Sequence, residues 1–237
     1  GRSLSLDLYN RDQAKIIAIG DLDGYLINNK GIDVNKLSKH FLKHKKLNKF
    51  KGAKYINKPT NVLLVNCDIL IPAATESVIN NNNVKKVKAK LIVEAANGPI
   101  TYRADKILNK RGVDILPDIF ANAGGVIVSY FEWVKNISHI RFGKLQRRFD
   151  EQKMRDVMGI IEKSTNNSTS NKLYKKITSG ATEKDLAYSG LEDSMREAFQ
   201  EILTEKNKNK KLNFRTAAYA IALKKLRKFH DTVGIFS

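Results

Sequence analysis

One cysteine, Cys67, stands among 237 residues, so no internal disulfide can form. A reducing or intracellular compartment is expected, or a fold that needs no crosslink. No run of about 18 apolar residues occurs, so no membrane-spanning helix is expected. The opening residues, GRSLSLDLYN, carry no continuous apolar segment after Arg2, so no secretory leader is expected there. Internal repeats are absent as well. Acidic charge is scarce, with 24 Asp and Glu against 43 Lys and Arg, a net charge of +19. What is present in quantity is apolar side chain, 42% of the residues, enough for a packed core. The length suits one large domain or one domain with a helical extension.

The surplus of positive charge has two readings. A polyanion surface would centre on Lys39 to Lys54, KHFLKHKKLNKFKGAK, where Phe41 and Phe50 interleave with the lysines. A compositional bias explains the same charge, because Lys, Asn and Ile are in excess throughout, including the asparagines at 80–83. Lysines are spread over both halves and no compact nucleic-acid motif is visible. The balance is against nucleic acid as a primary partner.

The first two thirds alternate short apolar runs with helical patterns. Strands are expected at Lys15–Gly20 (KIIAIG), Val62–Val65 (VLLV), Asp68–Ile71 (DILI), Leu91–Ala95 (LIVEA) and Val113–Leu116 (VDIL). Most are continuous rather than alternating, as in strands covered on both faces. A helix is expected at Thr101–Arg111, with Ala104, Ile107 and Leu108 on one face. This succession predicts an α/β fold with a parallel sheet. From about Phe142 the pattern becomes all-helical: Glu151–Lys163, a polar tip at Asn166–Asn171, a helix opened by Thr182 and Asp185 as a variant capping box, a basic break at Asn207–Lys211, and a last helix at Phe214–Phe229.

Four strand ends carry polar or small residues of a kind that binds ligands. Asp21 follows the first run and is placed to accept from ribose hydroxyls, although Asp23-Gly24 beside it also reads as an ordinary turn. Ala73, Ala74 and Thr75 follow Pro72 and would let a flat ligand approach the backbone, unless Thr75 caps a helix. Asn97, in EAANGP, offers both donor and acceptor, or is part of a plain loop. Asn122 precedes a Gly124-Gly125 corner that runs into an apolar helix bearing Ser129. A helix opened this way aims unpaired N–H groups forward, though such a corner is commonly just a turn. The four sites share one register, each just after an expected strand, where open α/β sheets bind ligands.

The segments EAANGPITYRADKIL, LPDIFANAGGVIVSYFEWVKN, SGATEKD and RTAAYAIA resemble the C-terminal half of glutamate dehydrogenase in its hexameric, animal-type branch. The likeness runs from about Ala14 to the end and is most specific between Glu94 and Asn136. It implies a partial Rossmann-type dinucleotide-binding domain over residues 1–138, an antenna-like helical insertion over 139–178, and C-terminal helices packing on the Rossmann domain over 179–237. It further implies that Asp21 holds the adenosine ribose and that Ala73, Ala74 and Thr75 line the cofactor. Asn97 and Asn122 serve the nicotinamide ribose and carboxamide, and Ser129 binds the substrate's side-chain carboxylate.

By the same resemblance, the reaction is the oxidative deamination of L-glutamate to 2-oxoglutarate and ammonia, with hydride passed to NAD or NADP. The carboxylate of Asp21 and the absence of a hydroxyl at Leu22 favour NAD. A homo-hexamer joined through the antenna and C-terminal helices, and a mitochondrial matrix location, are implied too; no metal is expected. There are departures. No G-x-G-x-x-G precedes Lys15, and the family's catalytic lysine and aspartate lie N-terminal to anything matched here, so no catalytic residue is expected in this chain. A partial dehydrogenase is expected. An inactive paralogue acting as an assembly or regulatory partner and a basic polyanion-binding module are the alternatives. Tyr188 stands where a histidine of the family's GTP site is expected and Glu197 where an arginine meets ADP, so purine-nucleotide control is not carried over.

Overall fold

The computed structural model describes residues 1–138, 144–209 and 212–234. His139, where the antenna-like segment is expected to begin, Phe142 and Lys211 lie outside the described residues. The chain divides into two compact units, residues 1–122 with 201–237, and residues 123–200. In chain order the elements are α1 (Arg2–Asn10), β1 (Ala18–Gly20), β2 (Tyr25–Ile27), α2 (Val34–His44), β3 (Lys54–Ile56), β4 (Ile69–Leu70), β5 (Leu91–Val93), α3 (Tyr102–Lys110), β6 (Asp114–Leu116), α4 (Asp118–Ala121), α5 (Gly124–Ser138), α6 (Lys144–Thr165), α7 (Asn171–Thr178), α8 (Glu183–Lys208) and α9 (Phe214–Val233).

In the first unit, β4, β5 and β6 form a parallel sheet in that order, with Ile92 of β5 opposite Leu70 and Ile115. Each strand buries one residue, Leu70, Ile92 or Ile115, while Ile69 and Asp114 are exposed, so the strands are not covered along both faces as their continuous apolar runs suggested. Leu70, Ile92 and Ile115 join Ile79, Val84, Val87, Ala104 and Leu108 in one core, and Ile92, Ala104 and Leu108 are fully buried. Helix α3 turns Ala104 and Leu108 onto that core, at the four-residue spacing that puts side chains on one face. The guanidinium of Arg111 closes the bottom, donating to the carbonyls of Val84 and Val87 at 2.8 and 2.6 Å.

The expected strands at Lys15–Gly20 and Val62–Val65 do not join this sheet. Residues Pro59–Leu64 form a 3-10 turn, opened by a proline that presets φ at a helix start. A four-residue apolar run cannot by itself distinguish strand from buried helical turn. Residues Ala18–Gly20 pair antiparallel with Tyr25–Ile27, and those with Lys54–Ile56, in a separate three-stranded sheet. The four-residue turn Asp21–Gly24 sets that register: Asp21 Oδ1 accepts from the amides of Asp23 and Gly24 at 3.1 and 3.2 Å.

The basic run from Lys39 to Lys54 is thereby resolved into the end of α2, a turn and the start of β3. Its aromatics do not stand out among the lysines. Phe41 and Phe50 pack against the cluster of Leu26, Ile32, Leu37 and Leu47. A nucleic-acid surface built on exposed aromatics is lost at this segment, leaving solvated lysines.

Helix α9 contributes only its first half to the core, through Phe214, Ala217 and Ala218. Farther along, Leu223, Leu226 and Phe229 are all exposed by 63 to 65%. The second unit is helical. Thr182 and Asp185 close a reciprocal capping box ahead of α8: Asp185 N donates to Thr182 Oγ1 at 3.2 Å, and Thr182 N to Asp185 Oδ2 at 2.7 Å. Helices α6 and α7 pack on each other, and Met158 of α6 is buried. Along α5, Val126, Tyr130, Trp133 and Ile137 form an exposed stripe. No helix of the described residues is long and apolar enough to cross a membrane.

Candidate functional site

Parallel strands end on the same side of their sheet, so the loops after β4, β5 and β6 are neighbours by construction. The backbone ties them closely. The carbonyl of Pro72 accepts the amides of Ala95 and Ala96 at 3.1 and 3.0 Å, and the amide of Glu94 donates to Leu116 at 3.1 Å. Ala73, Ala74 and Thr75 follow Pro72 in an exposed turn with no helix after it, so Thr75 caps nothing. Gly98 takes φ 50°, a left-handed backbone that L side chains rarely adopt, and so turns the chain sharply after Asn97.

Asn97 and Asn122, 25 residues apart, meet directly. Asn122 Nδ2 donates to Asn97 Oδ1 at 2.5 Å, leaving each amide its other polar atom. The backbone N–H of Asn122 donates to Asp118 at 3.1 Å and closes the short helix α4. Asp21 stands elsewhere, in the β1–β2 turn of the antiparallel sheet, its Oδ1 engaged by its own turn. Ser129, in the second unit, lies on α5 and donates to the carbonyl of Gly125 at 3.0 Å. The structure thus gathers Ala73, Ala74, Thr75, Asn97 and Asn122 on one sheet edge, and carries Asp21 and Ser129 on other elements.

Behind the asparagine pair lies an ion network that was not anticipated in the sequence. Arg215, at the start of α9, reaches three carboxylates: Glu94 Oε2 at 2.8 Å, Asp105 Oδ1 at 3.0 Å and Asp118 Oδ1 at 3.3 Å. Glu94 is fully buried, and its Oε1 has no partner among the described residues. Burial raises the Glu94 carboxyl above the usual carboxylate range, with Arg215 pulling the other way. Burial also opposes the charge on Arg215, but the hydrogen bonds and charges of Glu94 and Asp105 outweigh it and hold the guanidinium cationic. A signal was available: Glu94 is a lone acid ending the apolar run LIVE, and a buried acid requires a partner. The partner's position was not readable, since Arg215 is 97 residues beyond Asp118 and 110 beyond Asp105. Among the described residues no group of three His, Cys, Asp or Glu is arranged to hold a metal ion.

A parallel α/β sheet with turns of small and amide-bearing residues at its carboxyl edge places the chain in the class of open α/β folds that bind ligands at that edge. Comparison with known proteins narrows the class. The Glutamate/Leucine/Phenylalanine/Valine dehydrogenase family matches residues 3–187, and the chain belongs to that family. The mitochondrial glutamate dehydrogenase of Dictyostelium discoideum is 43% identical over 226 residues, which cover 94% of this chain and 45% of that protein. The NADP-specific glutamate dehydrogenase of Saccharolobus shibatae is 50% identical over 137 residues, 57% of this chain and 32% of the relative. In fold, the chain resembles the Leu-bound hetero-hexameric glutamate dehydrogenase of Thermus thermophilus with a TM-score of 0.73 at 18% identity, covering all of this chain and 46% of that one. The chain therefore spans less than half the length of each.

Proposed function

We propose that these residues form the cofactor-binding half of a glutamate dehydrogenase, in which L-glutamate is oxidatively deaminated to 2-oxoglutarate and ammonia. The observation that carries this reading is the Asn97–Asn122 pair at the carboxyl edge of the parallel sheet. A nicotinamide dinucleotide fits the residues present. The amides of Asn97 and Asn122 offer complementary donors and acceptors to a carboxamide and a ribose, and the exposed small residues Ala73, Ala74 and Thr75 leave the adjoining edge open to a flat group. Bound there, the cofactor would supply a hydride acceptor. Asp21 is assigned to the adenosine ribose, where its carboxylate disfavours a 2′-phosphate and so favours NAD over NADP. Ser129 is assigned to the side-chain carboxylate of the substrate. Residues outside this chain supply the base that takes the substrate's proton.

The organisation proposed is a dinucleotide-binding domain over 1–138, an antenna-like insertion over 139–178 and C-terminal helices over 179–237, assembled as a homo-hexamer in the mitochondrial matrix. The exposed apolar residues Leu223, Leu226 and Phe229 of α9 support an assembly role for that helix.

The test is glutamate-dependent reduction of NAD or NADP by the intact polypeptide that carries these residues. Reduction supports the proposal, and its absence with both cofactors rejects it. In the same assay Ser129→Ala is expected to raise the KM for glutamate about tenfold, as loss of one hydrogen bond to a charged group does, while NADH affinity stays within twofold. An unchanged glutamate KM would remove Ser129 from the substrate site.

A further inference from the structure

One residue holds both members of the asparagine pair. Asp118 Oδ2 accepts the backbone N–H of Gly98, the residue after Asn97, at 2.9 Å. The carbonyl of the same Asp118 accepts the N–H of Asn122 at 3.1 Å. Asp118 is itself fixed on three sides. Its amide donates to Glu94 Oε2 at 2.9 Å, its Oδ1 accepts the amide of Ile119 at 2.9 Å, and that oxygen also accepts from Arg215 at 3.3 Å. The Asp118 side chain is 22% exposed and that of Arg215 24%, so water competes little for these bonds.

The connection follows from the loop geometry. The turn after Asn97 has a left-handed Gly98, and such a turn has no repeating ladder to define its position. Its amide is anchored by the Asp118 carboxylate, a charge-assisted bond stronger than a neutral one. Asn122 ends the four-residue helix α4, which Asp118 begins. Side-chain and main-chain oxygens of one residue thus set the separation of two loops that lie 25 residues apart in sequence. The two side-chain amides meet only when both loops are placed.

We propose that Asp118 is a positioning residue for nicotinamide binding, holding Asn97 and Asn122 at the spacing a carboxamide and its ribose require, with Glu94 and Arg215 as its anchors. The proposal rests on the cofactor reading of the asparagine pair. Asp118 acts through those asparagines, without touching the cofactor.

The experiment is a double-mutant cycle on the intact polypeptide, with NADH affinity read by fluorescence titration. Asp118→Ala and Asn97→Ala are each expected to weaken NADH binding about tenfold, and the double variant no more than about twofold beyond Asn97→Ala alone, because the two act on one contact. Asp118→Asn keeps an acceptor for the Gly98 amide but loses the charge facing Arg215. It is expected to unfold as readily as Asp118→Ala yet to bind NADH within about threefold of the parent, a split that a purely structural role would not produce. Should Asp118→Ala fail to fold, Asp118→Ser, whose shorter polar side chain does not reach the Gly98 amide, takes its place throughout the cycle with the same expected losses. Unchanged affinity in Asp118→Ala, or effects that multiply in the double variant, would overturn the positioning role.

Should Asn97→Ala bind NADH as the parent does, the cofactor reading falls, and positioning is read from the side-chain amide resonance of Asn97. A shift of that resonance in Asp118→Ala sustains the role, and an unmoved resonance overturns it.

Discussion

Replacing Arg215 with Met lowers the unfolding free energy by about 3 kcal/mol, the lower end of what breaking a buried ion pair costs. The lower end applies because the Arg215 side chain keeps 24% of its surface in solvent. The cost arises less from lost attraction than from what remains: Glu94, fully buried, would face Asp105 and Asp118 without a cation between them. Methionine keeps the apolar stem, so packing contributes little to the difference. The loss depends on pH, and its sign is fixed. Burial already raises the Glu94 carboxyl, and removing the guanidinium raises it further. A carboxyl whose folded value exceeds its unfolded value binds its proton more tightly in the native state. The stability it contributes is present below the unfolded value and is lost as pH rises toward the folded one. The deficit of Arg215→Met is therefore expected to be smaller in acid than at neutral pH. Urea unfolding of parent and variant across that range checks this. A pH-independent deficit, or one below about 1 kcal/mol, as for a surface pair, would mean the network is merely solvated.

The second large effect concerns turnover. The 237 residues alone are expected to reduce neither NAD nor NADP with glutamate, at a rate at least about 10²-fold below that of a polypeptide that also carries a substrate domain, because general acid–base catalysis alone contributes that much. The reason lies in the residue types at the sheet edge. Asn97 and Asn122 are amides, Ala73 and Ala74 are inert, and Thr75 is a hydroxyl whose neighbour in the sequence, Glu76, is a carboxylate exposed to solvent. Two acids bonded close behind the pair are committed: Glu94 is buried against Arg215, and Asp118 is bonded to Gly98, Ile119 and Arg215. Neither is placed to take a proton from an amino acid in solution. Stopped-flow and steady-state assays of the isolated chain check this, and robust turnover would show that the base lies within it.

The parallel sheet was readable because its strands announce themselves. DILI, LIVEA and VDIL are continuous β-branched runs separated by lengths that suit crossovers, and α3 shows its buried face at regular spacing. The capping box at Thr182 was legible for the same reason, since it depends on residues three apart. Misreadings occurred where local sequence is degenerate. VLLV fits a strand as well as the 3-10 turn it adopts after Pro59. Only the end of KIIAIG, Ala18–Gly20, is a strand, and the Asp23-Gly24 turn after it folds the chain into a hairpin instead of a crossover. The third strand of that sheet, Lys54–Ile56, is hidden at the end of a basic run. Of the site, the asparagines were legible from turn chemistry and resemblance. Asp118 and Arg215 were not, because an acid at a helix start and an arginine at another look like ordinary helix-end residues until the fold joins them.

The most direct measurement is a structure of the intact protein bound to NADH. The nicotinamide half is expected on the carboxyl edge of β4, β5 and β6, with side-chain amide atoms of both Asn97 and Asn122 about 3 Å from its carboxamide or ribose. A dinucleotide seated on another surface, with those two asparagines still bonded only to each other, would contradict the assignment.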